Sequence, residues 1–258
     1  TVKNVAGYDM TRLHVGAYGT LGVIVEATFK VSPLPRMMVT VAGQVPTLSA
    51  AVAAARALRM ARIVPWSLAL AEPGVLAEAS EGYTVAVRLG GQPAVVTPQR
   101  QRALDTLVEA KAGDVREVVD AESRLWAQAR DWPATAAGGD DALVRIGVAP
   151  SQTERVLSAA QDIATRHTVR ASCLAFPGAA TVYCCLRGAL PALADVVNGL
   201  AAVAGEMNGN LVVERCPRAL KERVSVWHPG GADALTRRVK QTFDARGILN
   251  PGRFVGGL

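Results

Sequence analysis

A chain of 258 residues with 50% apolar and 19% charged residues can build one large or two small globular domains and is not a disordered segment. Its net charge of +6 is mostly arginine spread along the chain. The one dense basic cluster, Arg215, Arg218, Lys221 and Arg223, lacks interleaved aromatics, which suits a solvated face or an anionic substrate and argues against nucleic acid as a partner. No apolar stretch reaches the ~20 residues of a membrane span, since the alanine-rich run after Thr47 is broken by Arg56, Arg59 and Arg62.

The chain opens on TVKNVAGYDMTRLHVGAYGTLGVIVEATFKVSPLP. Gly7 and then Gly16, Gly19 and Gly22 stand ahead of an apolar β-branched run, Val23-Ile24-Val25. Glycine lets a backbone take φ > 0 or lie close against a flat group, and Thr20, Thr28 and the N–H groups around Gly19 and Gly22 offer donors without bulk. Two readings stand side by side: a backbone-lined ligand ledge leading into a strand that ends at Pro33 and Pro35, or a glycine-rich turn before a β-hairpin. The three-residue glycine spacing excludes the G-x-G-x-x-G nicotinamide fingerprint, and neither a P-loop nor G-x-S-x-G occurs.

The wording VKNVAGYD followed by GxxGTLGVIxEATFKVxPxP resembles the end of the FAD-binding subdomain in flavoproteins of the vanillyl-alcohol-oxidase type, the FAD-linked oxidases. Within them it is most similar to the E subunits of bacterial glycolate oxidases. The resemblance implies FAD as cofactor, met largely by main-chain atoms. It assigns the contacts to Asn4, Val5, Ala6, Gly7, Gly16, Gly19, Thr20, Leu21, Gly22, Val23 and Ile24. Tyr8 becomes a candidate to stack on or donate toward the ring system, and Asp9 to cap a short helix beginning near Thr11. Because the chain opens inside the motif at Thr1, without an initiator Met, it is expected to be a C-terminal fragment that holds one wall of the flavin site.

After Pro33-Leu34-Pro35 the pattern changes. Strands are expected over Met37–Gln44, Trp66–Ala71, Tyr83–Leu89 and Val115–Val119, with a helix capped by Thr47 and a second starting at Thr97, giving β-α-β-β-α-β. The order then repeats: a strand over Ala142–Ala149, a helix capped by Ser151 with Glu154 as a capping box, and a hairpin of Val169–Phe176 with Thr181–Leu186. A helix over Leu190–Ala204 and a strand over Gly209–Glu214 complete the repeat. A short helix around Glu122–Arg130 lies at the join. The fold class is therefore α+β: two ferredoxin-like halves, or one wide antiparallel sheet with helices on one face. This block, residues 36–216, matches the cap or substrate domain expected of the resembled family. It lies between the flavin segment (1–35) and a C-terminal helix and tail (217–258).

The tail carries an amphipathic helix over Ala232–Ala245, a C-cap at Gly247 and the phrase F-D-x-x-G-I-L-N-P-G. That phrase resembles the C-terminus of many FAD-linked oxidases, which implies a flavin-proximal role for Asn250; on its own it is an Asn-Pro turn after a helix.

Candidates for chemistry are few. A flavin takes hydride from a 2-hydroxy acid while a base removes the hydroxyl proton. The metal-dependent hydroxy-acid branch of the family carries G-D-G-N-x-H, where this chain reads Gly205-Glu206-Met207-Asn208-Gly209-Asn210, without histidine, so no metal is expected. Of the three histidines, His14 and His167 read as structural. His228, between the last cap strand and the tail, is either a pocket residue that titrates near neutral pH or a loop histidine beside Trp227. Cys173, Cys184, Cys185 and Cys216 form no C-x-x-C and read as free thiols of a reducing cytoplasm. The resemblance implies a subunit of a glycolate-oxidase-like complex, with a second flavin subunit, an iron–sulfur subunit and a small 2-hydroxy acid as partners. It places the chain in the cytoplasm or, through its partners, at the periphery of the inner membrane. A self-sufficient hydroxy-acid oxidase and a non-catalytic assembly subunit are the alternatives.

Overall fold

The computed structural model describes residues 9–76, 82–118, 122–228 and 233–258. The chain divides into a larger unit, Pro33–Ser225, and a smaller one made of its two ends, up to Ser32 and from Val226 onward. The first helix, α1 (Met10–His14), is a little over one turn long and starts where expected: Asp9 is its N-cap and accepts from the Arg12 N–H at 3.2 Å.

The larger unit runs β1 (Met37–Val45), α2 (Leu48–Met60), β2 (Ser67–Ala71), β3 (Tyr83–Gly91), α3 (Pro93–Glu109) and β4 (Gly113–Val118). After the crossing helix α4 (Glu122–Thr135) it continues with β5 (Ala142–Gly147), α5 (Thr153–Arg166), β6 (Arg170–Phe176), β7 (Thr181–Arg187), α6 (Leu190–Glu206) and β8 (Asn210–Arg215). Strands β1 to β8 form one antiparallel sheet in the order β4-β1-β3-β2-β6-β7-β5-β8. Each half has the ferredoxin-like order 4-1-3-2, and the halves meet through their second strands, with Leu70 opposite Ala175 and Ala71 opposite Leu174. Two ferredoxin-like halves thus make one wide antiparallel sheet.

Apolar spacing explains the packing. In α2 the buried residues are Ala51, Ala54, Ala55 and Leu58, the i, i+3, i+4, i+7 stripe of one helix face, and Thr47 caps the helix by accepting from the Ala50 N–H. In α5 the stripe is Val156, Leu157, Ala160, Ile163 and Ala164. A fully buried leucine or valine at such a position contributes roughly 1.5–3 kcal/mol of burial energy.

The other sheet face is also covered, contrary to the expectation of helices on one side. Ala42, Ala69, Ala71 and Ala86 lie on that face and pack with Leu125, Trp126 and Ala129 of α4. Alanines on the strands make room for the indole, whose Nε1 donates to Thr40 Oγ1 at 2.7 Å, and the Arg88 guanidinium stands 6.0 Å over its ring.

Three local expectations are corrected. The helix placed at Thr97 begins at Pro93: proline at the first helical position needs no N–H partner, and Thr97-Pro98 lies inside the helix. Ser151 is not a cap. Residues Pro150–Gln152 form a 3-10 turn, and Thr153 opens α5 with its hydroxyl on the Pro150 carbonyl at 2.9 Å. The strand expected after Gly22 is absent, because residues 22–35 carry no strand and Val23, Val25, Phe29 and Val31 are exposed. Alternating β-branched residues make a strand only where a neighbouring edge supplies hydrogen bonds, and no described segment pairs with these residues.

Candidate functional site

The smaller unit brings the glycine turn and the tail together. The tail enters through β9 (Trp227–His228) and continues in α7 (Asp233–Phe243), then turns at Gly247, whose φ of +63° lies in the left-handed region that favours glycine. Lys240 and Asp244 lie four residues apart, at and just beyond the helix end. Their side chains are only 9% and 3% exposed. An ammonium so enclosed needs a partner for each proton, and Lys240 Nζ has three: Asp244 Oδ2 at 2.6 Å, the Thr20 carbonyl at 2.8 Å and the Leu249 carbonyl at 2.9 Å. The Asp244 carboxylate also accepts the N–H groups of Ile248 and Leu249, each at 3.0 Å. The Lys240 hydrogen bond holds its pKa down at about 2, against the opposing effect of desolvation, and the two N–H groups add to the lowering.

One residue past this node, Asn250 takes φ +41° and donates its Nδ2 to the Tyr18 carbonyl at 2.6 Å. Gly19 has φ +67°, which strains a larger residue, and a Cβ there would come within 3.1 Å of that same amide nitrogen and press on it. Thr20 is fully buried, with its hydroxyl donating to the Ala17 carbonyl at 2.5 Å. The turn is thus held from the tail at two carbonyls on either side of Gly19, Tyr18 by Asn250 and Thr20 by Lys240. His14 packs edge-on to Phe243 with ring centres 5.7 Å apart, and its Nδ1 lies 2.9 Å from the Met10 carbonyl. Gly22 leaves room for that imidazole, since a Cβ there would meet His14 Nε2 at 3.2 Å. Tyr18 meets Trp227 edge-on at 5.9 Å.

Of the residues expected to meet a cofactor, Gly16, Gly19, Thr20, Leu21, Gly22 and Asn250 are gathered in this one cluster. Asn4, Val5, Ala6, Gly7 and Tyr8 lie outside the described residues. The side chains of Thr20 and Leu21 turn inward, so any contact they make with a ligand is through the main chain. Val23 and Ile24 are exposed. His228 is half-buried, and its Nε2 is enclosed with no hydrogen-bond partner among the described residues. Also among the described residues, no group of three His, Cys, Asp or Glu side chains is placed to hold a metal ion, and no helix is long and apolar enough to cross a membrane.

Sequence reasoning missed Lys240 and Asp244. A Lys-Asp pair at i, i+4 ordinarily reads as an exposed helix pair. The available signal was Asp244 itself, which stands inside the tail phrase and is followed by a left-handed glycine that turns the next N–H groups back toward it.

The profile of the FAD linked oxidases, C-terminal domain, matches residues 227–254, the segment that contains Lys240, Asp244 and Asn250. Over an alignment 282 positions long the chain is 26% identical to glycolate oxidase subunit GlcD of Bacillus subtilis (strain 168), covering 97% of this chain and 58% of that protein. A shorter stretch of 35 residues is 63% identical to glycolate oxidase subunit GlcE of Escherichia coli (strain K12), covering 14% of this chain and 10% of that protein. The chain is similar to FAD-linked oxidases in its tail and, at lower identity, along most of its length. It shares its fold with a solved structure of alkyldihydroxyacetonephosphate synthase, at a TM-score of 0.63 and 16% identity over 96% of this chain and 51% of that one. The chain therefore spans only a little over half the length of these two longer proteins.

Proposed function

We propose that this chain forms one wall of the FAD site in a subunit of a 2-hydroxy-acid dehydrogenase or oxidase, with glycolate as the leading substrate. In this reading electrons leave through a second flavin subunit and an iron–sulfur subunit. The observation that carries it is the double clamp of tail on glycine turn: the two segments whose wording resembles flavin-contacting segments are bonded to each other, though 232 residues separate Tyr18 from Asn250.

The cluster fits a flat cofactor. Gly16 has φ +79° and no atom within 4 Å of a built Cβ, so its main chain is open to close approach. Bound FAD would supply the hydride acceptor. The chain's own contribution is positional: Lys240 and Asn250 fix the carbonyls of Thr20 and Tyr18, which orients the intervening peptide. His228, with its enclosed Nε2, is the candidate proton acceptor of this unit. A second reading, a non-catalytic assembly subunit, is favoured by the exposed apolar run Val23, Val25, Phe29, Val31 and Leu34, which suits burial against other protein.

The test is flavin absorbance near ~450 nm, a property of the cofactor, in the purified protein that carries this chain, with and without Asn250→Ala. Stoichiometric flavin is expected, and loss of one neutral hydrogen bond should weaken FAD affinity roughly 3- to 10-fold. Gly22→Val is a poorer probe because it strikes His14. A folded protein with no flavin would overturn the oxidoreductase reading and leave the assembly subunit.

A further inference from the structure

In the larger unit, Cys173 of β6 and Cys184 of β7 stand directly opposite each other, with their sulfurs 2.8 Å apart and both side chains fully buried. The main chain of Cys173 faces away from β7: its N–H donates to Glu72 Oε2 at 2.8 Å, and its carbonyl accepts from the Glu72 N–H at 3.2 Å. The two cysteines therefore form a non-hydrogen-bonded cross-strand pair, the position at which facing residues of an antiparallel ladder come closest. A disulfide needs closely spaced facing Cβ atoms and a sulfur–sulfur distance of about 2.05 Å, so bond formation here requires a contraction of only about 0.8 Å. Cys185 is excluded from the pair. It points to the opposite face, opposite Ser172, with its thiol on the Ala136 carbonyl.

We propose that Cys173 and Cys184 are a disulfide-forming site, which a hydroperoxide converts from two thiols to a cross-strand bond. One thiol, as thiolate, attacks the peroxide, breaking the O–O bond and leaving a sulfenic acid and one water. The second sulfur displaces the sulfenic hydroxyl as another water and forms the S–S bond. Two thiols and one hydrogen peroxide thus give one disulfide and two waters, with two electrons passing from sulfur to oxygen. The Cys184 contact and burial both raise the Cys173 thiol pKa, which keeps the thiolate scarce in the folded sheet. Oxidation is therefore expected to be slow in the folded protein and fast while the hairpin is still open. Once formed, the bond is shielded from bulky reductants. This site is independent of the flavin reading.

The experiment treats the protein with hydrogen peroxide in two arms, folded and during refolding from guanidinium chloride. Each arm is followed by N-ethylmaleimide alkylation under denaturing conditions and peptide mapping. The expected result is loss of two hydrogen masses, a Cys173–Cys184 cross-linked peptide in at least one arm, and alkylated Cys185 and Cys216. The oxidised protein should melt roughly 5–10 °C higher, as for a loop of this length, and should be reduced by a phosphine only when unfolded. Cys184→Ala should abolish the cross-link; should that variant not fold, the mapping of the unaltered protein decides. Full alkylation of all four cysteines in both arms, or protection that maps to Cys185 or Cys216, would overturn the proposal.

Discussion

Lys240 owes its burial to geometry rather than to its own chemistry. A lysine in the last turn of a helix usually reaches water along its stem, but here two carbonyls, from 220 residues upstream and nine residues downstream, meet its ammonium. Asp244 completes the shell and has a pH consequence. Its folded pKa of about 2 lies below its ordinary 3.8, so the stability it confers is complete above the unfolded value and is lost as pH falls through about 2. Melting temperatures of the parent and of Asp244→Asn should differ most above pH 5 and converge between pH 4 and ~2, in line with this linkage. A gap that stays constant across that range would show that the carboxylate charge is not what holds the node. Asn250 follows a plainer logic. Its left-handed φ is one that asparagine tolerates well, and its amide is spent on Tyr18, so it serves the site by fixing the turn.

At the scale of elements, the seam between β2 and β6 is stapled by Glu72. Its carboxylate accepts from Gln161 Nε2 of α5 at 2.7 Å and from the Cys173 N–H of β6, so a residue of the first half is bound twice by the second. Burial raises the Glu72 pKa despite these donors. A raised carboxylate pKa favours folding at low pH, and that advantage fades as pH rises from the ordinary 4.5 through the folded value. Glu72→Gln should be tolerated, because Gln161 can turn its amide to accept from the new donor. Its stability relative to the parent should grow with pH across that window. Glu72→Ala leaves the Cys173 N–H unpaired and should cost about 1–3 kcal/mol in urea unfolding; equal losses for both variants would refute the staple. Most elements were legible in the sequence, since period-two and period-3.6 patterns report burial directly. Some features were not. The covered second face depends on alanines in β1, β2 and β3 facing Trp126, and an alanine pattern does not reveal what fills the space it leaves. The Val23–Val31 run read as a strand because its residues are right for one, but pairing is a property of two segments and not of one.

For the whole molecule, the contiguous stretch Pro33–Ser225 contains its own sheet, both covering layers and the seam. Expressed alone, residues 33–225 should fold with native-like circular dichroism and a single cooperative thermal transition; a broad, non-cooperative melt would show that the ends are needed for its stability. The seam also bears on how such a sheet stays soluble. A lone half would end at its second strand, leaving the hydrogen-bonding groups around Leu70 and Ala71, or around Leu174 and Ala175, as a raw edge that invites association with a second copy. Antiparallel pairing of equivalent strands is the arrangement by which identical protomers meet across a two-fold axis. The larger unit has the form of a homodimer written into a single polypeptide. Because both halves belong to the same chain, their association does not vary with concentration, and each half is free to diverge without losing its mate.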